Sequence, residues 1–398
     1  MKTIKREYLE NLKKVVGTPD IKVVTGVRRC GKSTLMRELE EYIASSFSDA
    51  NIIHIDFNKV EFEDLQEYHK LNQYIEERYL KDKNNFVFID EVQMCDNFEK
   101  AINSLHASGK YDIYITGSNA FLLSSDLATL FTGRTFEIEI FPFSFAEFMK
   151  YYDGEQDQYA AFERYLAEGG FAGSYLYDDL PEKYRYIANV YDMLVLKDVQ
   201  KKYNIQNIPV LTKLSDFLLD NTSRLVTGRS ITNILNNEKL DTNHKTVSAY
   251  IDYLCRAFAF YKVKRYDIEG KNYLRSQDKY YLCDHAVKFA KLGTKNANYG
   301  SIYENIVAME LLRRGYEIYV GVLRNGEIDF VAKKQDEKIY IQVSYDISSQ
   351  KTFEREITPL LNIRDAYPKM LIARTKQPEQ QYEGIRIVDI ADWLLESK

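Results

Sequence analysis

The sequence is poor in cysteine, has no long hydrophobic run and carries no excess of positive charge, and each shortage removes a class of protein. Four cysteines in 398 residues, Cys30, Cys95, Cys255 and Cys283, are scattered without the spacing of zinc ligands. A disulfide framework and a zinc finger are excluded, and the thiols read as reduced. No stretch of about 18 apolar residues is present to span a bilayer, and the opening residues Met1 to Tyr8 lack the apolar core of a secretory signal. The expected location is cytoplasmic, without a membrane span. A net charge of -5 argues against indiscriminate coating of nucleic acid and leaves only a local basic face open. There is no internal repeat and no low-complexity tract. What is present is bulk: 45% of residues are apolar, and 32 tyrosines are available for cores and interfaces. The length suits about two to four domains.

The most informative run is Gly26-Val27-Arg28-Arg29-Cys30-Gly31-Lys32-Ser33, followed by Thr34, which fits G-x-x-x-x-G-K-[ST]. Ile21, Val23 and Val24 predict a buried strand before it, and Leu35, Met36, Leu39, Tyr42 and Ile43 recur at helical spacing after it. In that order of strand, glycine-rich loop and helix, backbone N–H groups and a helix N-terminus converge on phosphate oxygens. Lys32 is expected to reach the β and γ phosphates of ATP, and the Ser33 hydroxyl to ligate Mg2+. A second run, Phe86-Val-Phe-Ile-Asp90-Glu91, is apolar and ends in two carboxylates. It predicts a parallel strand buried on both faces whose C-terminal end meets the ligand crevice. Asp90 is expected to hold Mg2+ through water, and Glu91 to polarise the attacking water.

Other elements surround these two. Ile52 to Phe57 reads as a strand, Glu61 to Lys81 as an exposed helix and Phe98 to Ala107 as a helix. Asp112 to Asn119 reads as a strand ending in polar residues, lying between the phosphate-loop strand and the Asp-Glu strand. Ser118 and Asn119 then face the γ-phosphate, with Asn119 the favoured sensor; an Asn in a Gly-Ser turn is the plain alternative. Phe121 to Leu130 predicts a helix, Thr132-Gly133-Arg134 a turn, and Phe136 to Ile140 a strand near the sheet edge. Arg134 there points toward a neighbouring subunit's γ-phosphate, the alternative being a surface ion pair.

Together, Gly26 to Ser33, Phe86 to Gln93, Thr116 to Asn119, Thr132 to Arg134 and Phe141-Pro-Phe-Ser-Phe145 resemble the AAA-type ATPase domain of a large prokaryotic family, in which the ATPase precedes a C-terminal domain of unknown function. The resemblance runs over nearly the whole chain. It implies the sensor role for Asn119 and the finger role for Arg134, and with the latter a homo-oligomer.

Lys150 to Lys202 gives Tyr- and Leu-rich helices, broken at Glu168-Gly-Gly-Phe-Ala-Gly173 and at Pro181, and reads as a lid over the nucleotide. Three helical segments follow, Leu211 to Asp220, Ser230 to Asn236 and Thr242 to Arg256, then strands Ala259 to Lys264 and Lys279 to Cys283, an order that suits a winged helix. From Gln206 to Ala290 there are thirteen Lys and Arg against nine Asp and Glu, a balance that permits DNA binding without demanding it. Asn243, His244 and Lys245 open the would-be recognition helix, and Lys262, Lys264, Arg265 and Lys271 would line the wing. A module that packs on the ATPase or a partner is the equal alternative.

From Tyr299 the pattern of one helix and three strands resembles the restriction-endonuclease-like fold. Glu304 and Asp329 match two positions of its metal site, while Gln342 and Ser344 stand where a third carboxylate and a lysine belong. A neutral amide is a poorer ligand for a hard cation, so the domain reads as catalytically degenerate, with Glu354 or Glu356 the carboxylates that would restore it.

The expected fold is therefore α/β: a P-loop NTPase parallel sheet of AAA type (1–150), a helical lid (151–208), a winged-helix-like α+β module (209–290) and a C-terminal restriction-endonuclease-like α/β domain (291–398). The expected function is a Mg2+-dependent ATPase that couples nucleotide state to movement of appended domains docking a nucleic acid or protein client. A low-turnover ATP-binding switch is the alternative, and an ATP-regulated DNA nuclease the third reading.

Overall fold

A computed structural model describes residues 4–117, 130–131, 133–153, 157–270, 272–295, 297–324 and 326–396, with backbone alone for 272–276. The chain divides between Pro142 and Phe143 into two compact units.

The first unit is built on a five-stranded parallel sheet of β1 (Ile21–Gly26), β2 (Ala50–Asp56), β3 (Asn84–Asp90), β4 (Tyr111–Thr116) and β5 (Thr135–Ile140), in the order β2-β3-β4-β1-β5. β4 lies between β1 and β3, as expected. Parallel strands need both faces covered, which explains the unbroken apolar run Phe86 to Ile89 of β3 and the apolar Ile21, Val23 and Val24 of β1. On one face Ile55, Val87, Ile89, Ile113 and Ile115 pack with α3 (Tyr68–Glu76) and α4 (Phe98–Ala107). On the other, Phe88 stacks on Tyr114 at 4.6 Å, and Phe86 meets Phe47 at the end of α2 (Lys32–Ser46). α1 (Glu7–Lys13) packs on α2.

The single exposed helix expected over Glu61 to Lys81 is replaced by two shorter pieces. A 3-10 turn at Val60–Leu65 precedes α3, and Leu71 and Ile75 of α3 are buried. The acidic surface residues concealed a narrow apolar stripe of two positions, enough to seat a short helix.

The second unit begins with α5 (Phe145–Tyr151), capped by Ser144 and Glu147 through reciprocal side-chain bonds of 3.1 and 3.0 Å. α6 (Gln158–Glu168) ends at Gly169-Gly170, where the Asp284 carboxylate accepts from Gly170 N at 2.5 Å. A Cβ on Gly170 would lie 2.4 Å from the Phe143 carbonyl oxygen, so the break read in the sequence is a close backbone approach. α7 (Leu180–Asp192) carries Pro181 in its first turn and runs through a π-helical segment, Met193–Val199, into α8 (Gln200–Tyr203).

Next come α9 (Ile208–Asp220), α10 (Gly228–Asn237) and α11 (His244–Arg256), then the hairpin β6 (Phe260–Asp267) and β7 (Asn272–Leu282). Between α9 and α10 the chain adds to the hairpin, with Val226 bridging Asp278. The remaining elements are α12 (Ala286–Leu292), α13 (Tyr299–Arg313), β8 (Glu317–Leu323), β9 (Gly326–Lys334), β10 (Glu337–Ser344), α14 (Gln350–Leu361), β11 (Lys369–Ala373), β12 (Gln380–Tyr382), β13 (Ile385–Asp389) and α15 (Ile390–Leu395). The hairpin expected as a wing is continuous with the C-terminal strands in one mixed sheet, β12-β13-β11-β10-β9-β8-β6-β7, through parallel pairing of β6 with β8. α13 is buried along nearly its whole length. Among the described residues no helix is long and apolar enough to cross a membrane.

Candidate functional site

The glycine-rich loop leaves the C-terminal end of β1 and turns into α2. Gly26 has φ 136° and lies so close to β5 that an added Cβ would stand 2.1 Å from the Ile140 carbonyl oxygen. Gly31, at φ 103°, is the N-cap of α2, and Arg29 also adopts positive φ, at 66°. Lys32 is buried, and its ammonium donates to the carbonyls of Gly26 at 3.0 Å and Val27 at 3.2 Å. Ser33 and Thr34 open α2 and are half-buried, and Arg28 is half-buried while Arg29 is exposed. Cys30 is buried, and its burial pushes the thiol above its ordinary pKa, so it stays a neutral thiol in the loop wall.

A residue the sequence did not single out holds the loop from outside. Arg6, the N-cap of α1, is buried and donates to Cys30 O at 2.7 Å and to Phe141 O at 2.8 Å. Nothing in the local pattern Ile4-Lys5-Arg6 marks it.

Asp90 and Glu91 lie at the tip of β3, which is separated from β1 by β4 in the same sheet. Ile115 of β4 pairs with Val23 on one side and Ile89 on the other, so Thr116 and Asp90 lie level with Val24 and β1 runs two residues further to Gly26. Two strand spacings place the loop and the acidic pair about 10 Å apart in the sheet direction. Asp90 is buried and accepts from the Thr116 hydroxyl, which in turn accepts from Glu91 N at 3.2 Å. Glu91 sits in the left-handed region at φ 57° and ψ 47°, and its carboxylate accepts from the Gln93 amide. Thr116 therefore fixes both acids, a role that its place in Ile-Thr-Gly-Ser left unmarked.

Arg134 is exposed at the start of β5, opposite the end that meets Gly26. Six strand residues separate it from the loop by roughly 20 Å. It does not join Lys32 and Asp90 in its own chain. Ser118, Asn119, most of the helix expected over Phe121 to Leu130, and Thr132 lie outside the described residues, as does Lys271.

In the second unit, Glu304 of α13 and Asp329 of β9 are brought together as expected, with Gln342 of β10 beside them. Gln342 accepts from Asp329 N at 3.2 Å and donates to Glu356 of α14 at 2.8 Å. Ser344 donates to Asp346 O at 3.0 Å. The cation near these acids comes from β7: the Lys279 ammonium lies 2.9 Å from Glu304. A lone lysine in the apolar run Lys279-Tyr-Tyr-Leu was the available signal, and it lies too far from Ser344 in sequence for a local motif to include it.

A parallel five-stranded sheet with a glycine-rich lysine loop after β1 and an acidic pair after β3 defines a P-loop ATPase domain of AAA type. The comparisons agree: residues 18–149 match the family described as an AAA domain, and residues 159–298 match a domain of unknown function, DUF8612. The chain is 38% identical over 402 residues to a protein of Haemophilus influenzae described as uncharacterized, covering 99% of each, and it belongs to that protein's family. It is also 29% identical over 357 residues to an uncharacterized protein of Methanocaldococcus jannaschii, covering 85% of this chain and 77% of that one. Among solved structures, Hsp104 of S. cerevisiae in its casein complex matches 59% of this chain and 48% of its own at 15% identity and a TM-score of 0.30. Domain III of the replication initiation protein DnaA of Thermotoga maritima matches 48% and 85% at 17% identity and a TM-score of 0.29. Likeness at those scores carries no argument about this chain.

Proposed function

We propose that this chain hydrolyses ATP at the loop and acidic pair, and that nucleotide state moves the second unit, whose helices and hairpin dock a nucleic acid or protein client. The observation that carries the reading is the shared tip of β1, β4 and β3. Lys32 donates to carbonyls within the loop, and one threonine holds Asp90 and the backbone of Glu91 at the neighbouring strand ends. On nucleotide entry the Lys32 ammonium exchanges the Gly26 and Val27 carbonyls for β and γ phosphate oxygens. Glu91 accepts a proton from water as the water oxygen bonds to the γ phosphorus and the bond to the leaving oxygen of ADP breaks, giving inorganic phosphate. Ser33 and Asp90 offer hard oxygen donors that fit Mg2+, which when bound neutralises charge on the β and γ phosphate oxygens.

Arg134 fits a role in a neighbouring copy, since its exposed position at the far end of β5 removes it from its own site. The order α9, α10, α11, β6, β7, with the Val226 bridge to Asp278, supports a winged-helix reading of the middle segment. The order α13, β8, β9, β10 supports a restriction-endonuclease-like reading of the C-terminal segment, and the helices from α5 to α8 are our proposed lid. A low-turnover switch is favoured by one contact, the Gln93 amide on the Glu91 carboxylate, which occupies the group that must meet water.

The test is calorimetric Mg-ATP binding and steady-state turnover on the full chain over a range of concentrations. Lys32→Ala is expected to lose binding, and Glu91→Gln to bind ATP while turning over at least about 100-fold more slowly. Turnover per chain should rise with concentration and lose that rise in Arg134→Ala. Equal turnover by wild type and Glu91→Gln would remove Glu91 from the chemistry, and one nucleotide consumed per chain with no steady state would establish the switch.

A further inference from the structure

Three elements of the second unit, β7, α13 and β9, meet at one ammonium. Lys279 of β7 is buried, and its Nζ lies 2.9 Å from Glu304 on α13, 3.2 Å from Glu327 on β9 and 3.4 Å from Asp329 on β9. A lysine has three N–H donors, and here there are three carboxylates to receive them. The outer shell is equally complete. The Tyr281 hydroxyl donates to Glu304 at 2.7 Å, and Val343 N donates to the second oxygen of Asp329 at 2.9 Å. The Gln342 amide joins Asp329 N to Glu356, whose other oxygen accepts from Arg355 at 2.6 Å.

We propose that Lys279 is the resident cation of this cluster: its ammonium takes the place a divalent metal would fill, and the second unit works without one. Distance supports this. The separations of 2.9, 3.2 and 3.4 Å are ammonium–carboxylate contact lengths to all three acids at once. Among the described residues no group of three or more His, Cys, Asp or Glu side chains is spaced to hold a metal. Charge supports it as well. The buried ammonium is the positive group standing among the Glu304, Glu327 and Asp329 carboxylates. Buried acids gathered this closely repel one another unless a positive group stands among them. The wild-type cluster therefore leaves no room for a metal, whereas a neutral side chain at 279 makes room among acids whose repulsion a divalent ion relieves.

The experiment counts Mn2+ bound per chain, using the metal alone and the full-length protein, by calorimetry and electron paramagnetic resonance. The phosphate loop contributes equally in every arm. Lys279→Met is expected to bind one more Mn2+ than wild type and to melt higher in its presence, and Lys279→Met with Asp329→Asn to lose that extra ion. In wild type, Glu304→Gln should leave the count unchanged. A wild-type count that falls by one in Glu304→Gln means the cluster already holds metal beside the lysine and overturns the proposal, as does a folded Lys279→Met that gains nothing. Should Lys279→Met fail to fold even with Mn2+, the wild-type and Glu304→Gln pair decides alone.

Discussion

Single side chains decide how the nucleotide-binding edge is arranged. Thr116 carries two bonds at once, its hydroxyl donating to Asp90 while its oxygen accepts from Glu91 N. Thr116→Val keeps shape and removes both. Turnover should fall roughly 10- to 100-fold, the cost of a displaced catalytic group, while calorimetric affinity for ADP changes only a few-fold. Unchanged turnover, or affinity lost in equal measure, would show that Thr116 does not position the acids. His54 offers a pH signal in the same unit. Its ring bonds Glu40 at 2.6 Å, and that bond raises its pKa against partial burial, with the charges of Glu40 and Asp56 adding and Lys59 opposing. A histidine raised above its unfolded value of about 6.5 adds stability that is complete below that pH. The contribution is lost as pH rises through the folded value. His54→Gln should therefore melt lower than wild type at pH 5.5, by the equivalent of about 1 kcal/mol or less, with the gap closing by pH 9. A gap that widens with pH would contradict the pairing.

Elements were legible where period and spacing alone determine them. The phosphate loop, the two strands beside it and α4 follow from apolar runs and helical repeats, because a parallel sheet covered on both faces leaves no polar position to blur the pattern. Lys22 is the exception that a pattern cannot explain in advance. It is buried in β1 and paired with Asp112 of β4 at 2.5 Å, a partnership visible only once the strands are neighbours. Thr116 and Arg6 escaped notice for the same reason, since each acts on residues distant in sequence. The glycines behave differently by position. At Gly26 a methyl would meet the backbone of β5, so Gly26→Ala should lower stability by at least about 2 kcal/mol in chemical denaturation. Gly109, at φ 65° after α4 with open space around it among the described residues, should cost about 1–2 kcal/mol on the same substitution. Equal losses at the two sites would refute the contact with Ile140.

At the scale of the whole molecule, the point that sequence patterns did not reveal is that the middle hairpin and the C-terminal strands form one sheet. Turn residues mark where strands stop but carry no record of which distant edge they join, so β6 beside β8 was invisible until the fold was in hand. A fragment of residues 291–398 loses β6 from the edge of β8, and Lys279 and Tyr281 from Glu304. It should show no cooperative melt by circular dichroism, whereas residues 143–398 should melt cooperatively. Two folded halves from a cut at 290 would contradict the shared sheet. The opening of the chain teaches a related lesson. A guanidinium is a rigid fork, and that of Arg6 buckles the loop wall at Cys30 to the end of the last parallel strand at Phe141. Peeling back the first helix would strand two carbonyls in a dry place, so α1 serves as the belt of the cradle.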